Sequence, residues 1–124
     1  MRGIYERLRS EGAKLIAVLG DLNDTPDSAA LAALFGPGDL QDVSQHPSFQ
    51  SDGHEGTFQS ASKRDKIDYI ALSPELFARV KGGGVFRKGV WGQGKQPPWE
   101  VYPEMKSSYQ AASDHAAVWC DIDI

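Results

Sequence analysis

Residues 15–24 read LIAVLGDLND: five apolar residues running into a Gly-Asp pair. An apolar run this short, closed by turn residues, predicts a buried β-strand over 15–19. Gly20 ends the run, and DLNDTPDS at 21–28 is a loop of small polar residues in which Thr25 and Pro26 suit an N-cap and a first helical position. A helix is expected to follow, with Leu31, Leu34 and Phe35 on one face and GPG at 36–38 as its stop. Upstream, Ile4, Tyr5 and Leu8 fall at helical spacing before Gly12, which predicts a helix over 3–11.

Further along the chain, TFQ at 57–59 is a short strand candidate and IDYIAL at 67–72 a better one, followed by the cap-plus-proline helix start Ser73-Pro74-Glu75. The end, AAVWCDIDI at 116–124, sets Val118, Cys120, Ile122 and Ile124 against Trp119, Asp121 and Asp123, the alternation of a half-covered strand. Between these elements lie a polar stretch at 41–56 and a second one at 88–112, both read as long loops, the latter entered through GGG at 82–84. Strands alternating with helices predict an α/β domain whose functional residues sit where strands give way to loops.

Composition narrows the function classes. Thirteen Lys and Arg against 17 Asp and Glu give a formal charge of −4 over 124 residues, one domain's worth of chain. An acidic total argues against charge-driven, nonspecific nucleic-acid binding and means that an anionic substrate needs a metal ion. Cys120 is the single cysteine, which excludes an internal disulfide and a zinc finger. No apolar run approaches the roughly 18 residues of a membrane span. The opening MRGIYERLRSEG has no apolar signal core, so the expectation is a soluble protein, cytoplasmic by default.

Three polar clusters carry the chemistry. In GDLND at 20–24, persisting strand geometry would project Asp21 and Asn23 from one face about 7 Å apart, with Leu22 turned into the core. A plain turn accounts for the same residues. A calcium loop does not, because the sixth position is Pro26 and the twelfth Ala32. In KIDYI at 66–70 a carboxylate interrupts an apolar strand, so Asp68 either faces solvent or has a dedicated donor. The adjoining KRDK, with Arg64 and Lys66, is a solvated face or a contact to a phosphodiester backbone. In Ser113-Asp114-His115 a metal-binding oxygen and a proton-transfer group can share a pocket only if the backbone is irregular, since neighbours on an extended segment point opposite ways. His46 and His54 read as exposed loop histidines. Trp91, Trp99 and Tyr102 in the loop 85–105 either stack on a substrate's bases or cover a head group, or pack the loop onto its own domain.

Taken in order, a strand ending in GDLN, a strand carrying IDYI and a terminal SDH before a strand, spaced by roughly 45 residues, resemble the C-terminal half of the endonuclease/exonuclease/phosphatase superfamily over residues 12–124. That superfamily includes exonuclease-III-like and deoxyribonuclease-like enzymes, inositol polyphosphate phosphatases and sphingomyelinases. The resemblance implies the C-terminal half of a four-layer αββα sandwich with two face-to-face mixed β-sheets. It implies a metal-dependent phosphoesterase, hydrolysing a phosphate ester of nucleic acid, a phosphorylated small molecule or a lipid head group with activated water. Asp21 would orient or deprotonate that water, Asn23 contact phosphate oxygen or metal, Asp68 orient the catalytic histidine, Asp114 ligate the metal and His115 donate to the phosphoryl oxygen. Asp21, Asn23 and Asp114 would form the metal site, with Arg64, Lys66 and Trp91 as substrate contacts. Mg²⁺ or Mn²⁺ fits hard oxygen ligands. The superfamily's remaining ligands, an asparagine and a glutamate, lie in an N-terminal half absent from 1–124, so the expectation is a partial domain, inactive or very weak alone, whose partner is that half. The alternative is a noncatalytic truncated module acting through protein or sheet-edge contacts.

Overall fold

The apolar run and the IDYIAL segment form the first sheet. In the computed structural model, which describes residues 1–124, β1 (Ala17–Asp21) pairs antiparallel with β4 (Asp68–Leu72), and β4 pairs antiparallel with the short β2 (Gln41–Asp42). The register sets Ala17 opposite Leu72 and therefore Asp21 opposite Asp68. A second sheet joins β3 (Phe49–Gln50), parallel to β5 (Val80–Phe86), and β6 (Ala117–Ile122), antiparallel to it.

Helix α1 (Arg2–Ser10) and helix α2 (Ala29–Phe35) cover one face of the first sheet, closing a core of Tyr5, Ile16, Leu34, Leu40 and Ala71. The other face meets the second sheet. There Val43, Leu72 and Val80, with Leu76 from the short α3 (Pro74–Phe77), pack against Phe49, Ile70, Val118, Cys120 and Ile122. The alternation along β6 thus points inward as its pattern requires, while Trp119 stays 41% exposed on the outer face. No helix is long and apolar enough to cross a membrane.

Several local expectations change. The second helix starts at Ser28, not Thr25: the Ser28 side chain accepts the Leu31 N–H, and Thr25 closes a turn by accepting the Ser28 N–H. A residue that caps the first turn wins over proline placement. TFQ at 57–59 contributes only an isolated bridge from Phe58 to His115 rather than a strand. The stretch 41–56 holds β2, β3 and a 3-10 turn at Val43–Gln45, organised by Asp42, whose side chain accepts the Ser44 N–H and O–H. GGG at 82–84 is the middle of β5. A Cβ on Gly83 would stand 2.9 Å from the Phe49 ring and 3.0 Å from the Trp119 carbonyl oxygen, so close approach of neighbouring strands, not turning, requires the glycine.

The stretch 88–112 is a long loop with one 3-10 turn at Ser108–Gln110. Trp91 and Met105 are buried. His46 and His54 are half-buried against Phe77 and Trp99 rather than exposed.

Candidate active site

The β1/β4 register brings two strand ends together, and a third segment closes over them. Asp21 ends β1, Asp68 begins β4, and His115 lies two residues before β6. One ligand atom from each of Asp21, Asp68 and His115 lies within 4.8 Å of the others. His115 Nδ1 is 2.9 Å from Asp68 Oδ2. A cleft of about 430 Å³ runs between the two sheets here, lined by Leu19, Gly20, Asp68, Tyr69, His115 and Val118.

Each side chain is held by identifiable bonds. Gly20 has φ +140°, backbone that a side chain rarely adopts, and it lies opposite Tyr69. The Tyr69 hydroxyl is shared between the carbonyls of Asp24 and Lys66, tying the GDLND loop to β4. Burial pushes the Tyr69 hydroxyl's pKa well up, so it remains a donor at neutral pH. Strand geometry stops at Asp21. Asn23 has φ +52°, and its N–H donates to Asp21 Oδ1 at 2.8 Å, so the expected same-face projection of Asp21 and Asn23 is replaced by an Asx turn. Turn and site are one structure: one carboxylate oxygen closes the turn and the other has no partner within the protein.

Asp68 has the dedicated donors that its place in an apolar strand demands. Thr57, only 2% exposed, donates from Oγ1 to Asp68 Oδ2 at 2.5 Å and accepts the Asp68 N–H at 3.2 Å. The Thr57 carbonyl also accepts the Ala116 N–H at 2.7 Å, so one residue ties Asp68 to the His115 segment. The sequence reading missed Thr57. The Phe58 ring packs on the imidazole at 4.7 Å between centroids.

His115 is pushed above its usual pKa, first by its hydrogen bond to Asp68 and then by the charges of Asp68, Asp114 and Asp21, with burial opposing. The imidazolium therefore persists towards neutral pH. Asp68 fixes Nδ1, and Nε2 has no partner within the protein.

Other candidates fall elsewhere. The Ser113-Asp114-His115 segment bends at Asp114: His115 lines the main cleft, while Asp114 lines a neighbouring cavity and is not in the close group of three. Lys66 is spent internally, its Nζ 2.8 Å from Asp42 Oδ2 with both side chains almost buried, and it lies over the Tyr69 ring. Arg64 is exposed on the 3-10 turn at Lys63–Asp65. Trp91 is 8% exposed and donates its indole N–H to the Gly94 carbonyl, so it forms a wall rather than a stacking platform.

Two carboxylates and one imidazole can hold a metal ion or move a proton. No protein-family profile matches the chain, and no curated protein matches it in sequence. Two solved structures do resemble it. An endonuclease/exonuclease/phosphatase from Bacteroides vulgatus aligns over 97% of this chain and 41% of its own, with a TM-score of 0.61 and 21% identity. An endonuclease/exonuclease/phosphatase family protein from Bacteroides thetaiotaomicron aligns over 67% of this chain and 31% of its own, with a TM-score of 0.54 and 24% identity. The chain therefore spans well under half the length of either neighbour, and over that span it has the fold of the endonuclease/exonuclease/phosphatase proteins.

Proposed function

We propose that this chain carries the histidine side of a divalent-metal-dependent phosphoesterase site within a longer domain of that fold. The observation that carries the reading is the His115–Asp68 pair at 2.9 Å with the Asp21 carboxylate in the same close group. An exposed surface turn has no need of a buried threonine to orient its aspartate.

In this reading the free oxygen of Asp21 takes a proton from the attacking water as the new P–O bond forms. His115, doubly protonated and fixed through Nδ1, donates from Nε2 to the phosphoryl oxygen as charge builds on it. The bond from phosphorus to the alcohol oxygen breaks, and the alcohol leaves with a proton from solvent. Asp68 holds the imidazole in its charge state, and Thr57 holds Asp68. Asp21 offers a hard oxygen atom in the close group, which holds no thiolate, and Asn23 would supply a second, a donor set that fits Mg²⁺ or Mn²⁺ better than zinc. When bound, such an ion polarises the phosphoryl group.

The test is hydrolysis of 4-nitrophenyl phosphate and bis(4-nitrophenyl) phosphate by the intact protein, with Mg²⁺ and with chelator. His115→Ala and Asp21→Asn are expected to lose on the order of 10²–10⁴ in turnover, the scale of a positioned acid or base. Turnover near that of the unaltered protein in both variants would remove the mechanism. One observation favours a noncatalytic sheet-edge role instead: β1 is an edge strand of its sheet, and Leu19 on it is 66% exposed. Metal-independent inertness of the intact protein towards every phosphate ester would support that reading.

A further inference from the structure

Beside the main cleft lies a second cavity of about 230 Å³, walled by Gln59, Trp91, Gly92, Ser108, Ser113 and Asp114. Ser113 lines both cavities, so the second opens next to the position of a phosphate held at His115. We propose that this cavity receives the alcohol portion of the ester, and that this alcohol is an uncharged sugar or similar polyol. The inference rests on the phosphoesterase reading above and deepens it.

Three features favour that occupant. The first is charge. No Lys, Arg or His lines the cavity and one carboxylate does, so a second phosphate, as in a nucleic-acid strand, meets repulsion where it needs a cation. Eight of the chain's cations are engaged in ion pairs, Lys66 and Arg87 among them with their side chains nearly buried. The second is hydrogen-bonding pattern. Gln59 accepts from Gln93 through its oxygen at 2.8 Å, leaving its amide N–H groups to donate. Ser113 accepts the His115 N–H, leaving its own hydroxyl hydrogen to donate, and Asp114 accepts. Donors and an acceptor beside an indole wall match hydroxyl groups on a ring with one apolar face. The third is size and shape. The volume lies below the roughly 300 Å³ at which drug-sized pockets begin. It admits one ring, less than the base and sugar of a nucleoside together.

The cavity's floor is fixed independently of any ligand. Gln59 has φ +44° and Ala61 φ +54°, in a turn held by the Ala61 N–H bond to the Phe58 carbonyl and by Asp65, which accepts from the Ser60 and Ser62 hydroxyls. The same turn carries Phe58 onto the His115 ring, so cavity floor and imidazole share one scaffold.

The experiment compares kcat/KM of the intact protein for glucose 6-phosphate, sorbitol 6-phosphate, a thymidine dinucleotide and 4-nitrophenyl phosphate. Preference for either polyol phosphate over the dinucleotide is expected, the cyclic and open-chain forms deciding between a sugar and a linear polyol. Gln59→Ala, and Ser108→Phe, which fills the cavity from an exposed turn, should each lower the ratio of polyol phosphate to 4-nitrophenyl phosphate about tenfold. Ratios unchanged within twofold, or preference for the dinucleotide, would overturn the inference while leaving the phosphoesterase reading intact. If no ester turns over, that reading fails, and tryptophan fluorescence titration with glucose and sorbitol still decides the subsite. Saturable binding at least fivefold weaker in Gln59→Ala supports it, and no binding overturns it.

Discussion

Thr57→Val removes one oxygen atom and almost no volume, and it tests whether a buried hydroxyl organises the site. The hydroxyl makes two bonds to the same residue, donating to the Asp68 carboxylate at 2.5 Å and accepting its N–H at 3.2 Å. Valine leaves the Asp68 N–H unmet and Asp68 Oδ2 with only the His115 bond, in a spot where Thr57 itself is 2% exposed. A hydrogen bond to a charged group contributes about 1.5–3 kcal/mol, and an orphaned buried donor costs about 1–3 kcal/mol. The Asp68 side chain keeps 19% of its exposure, so water recovers part of this. A net loss of about 2–3 kcal/mol is therefore expected, measured as a shift in the urea midpoint of the intact protein at unchanged m-value. Thr57→Ser, which restores the oxygen, should recover most of that loss. Under the proposed reaction, in which the imidazole acts in the transition state, a misplaced Asp68 should lower kcat rather than raise KM. A Thr57→Val protein within about 0.5 kcal/mol of the parent, the usual scatter for surface changes, would refute the view that Thr57 anchors Asp68.

Two further outcomes follow from the same coordinates. Asp68→Asn should return the His115 titration, followed by imidazole NMR shifts in metal-free protein, towards its usual value near 6.5, since the bond to Asp68 is the leading cause of the upward shift. The sign for stability is fixed: a raised folded-state pKa stabilises fully below 6.5 and less as pH rises through the folded value, so this variant should flatten that part of the stability profile. Gly83→Ala should destabilise by about 1–3 kcal/mol, the range for overpacking. Gly82→Ala, whose added Cβ meets nothing closer than 3.8 Å, should cost far less, and equal midpoint shifts for the pair in chemical denaturation would contradict the close-approach account of β5.

The elements legible in the sequence were those whose reason is local. LIAVL, IDYIAL and the alternation Val118, Cys120, Ile122 announce strands through their own apolar pattern, although LIAVL, expected to be buried, buries only Ile16 and leaves Leu15 and, on the edge strand itself, Leu19 exposed. Strand β5 was hidden because glycines at 82–84 signal a turn unless one knows that Phe49 and Trp119 press on them from other strands. Thr57 was hidden for the same reason: ten residues of turn separate it from Asp68, and nothing in TFQ says that its hydroxyl folds back. Where Asp114 points was not legible, because it depends on a local bend at which Ser113 accepts the His115 N–H, leaving the two side chains on cavities that share Ser113.

Most of the site's geometry follows from hydrophobic burial rather than from the polar residues themselves. Ala71 and Leu72 are fully buried on opposite faces of β4, one in the helix-side core and one between the sheets. A one-residue slip of β1 against β4 would turn Ile16 and Val18 out of the helix-side core and bring the exposed Ala17 and Leu19 towards it, so the register is specified by packing. Once Ala17 lies opposite Leu72, the strand lengths leave Asp21 opposite Asp68 with no further choice. Two like charges facing each other across a ladder are unfavourable on their own. The imidazolium at 2.9 Å and the Thr57 hydroxyl at 2.5 Å offset that repulsion at Asp68, and the Asn23 N–H at 2.8 Å does so at Asp21. The carboxylates are thus forced together by the core and made tolerable by donors from three separate segments.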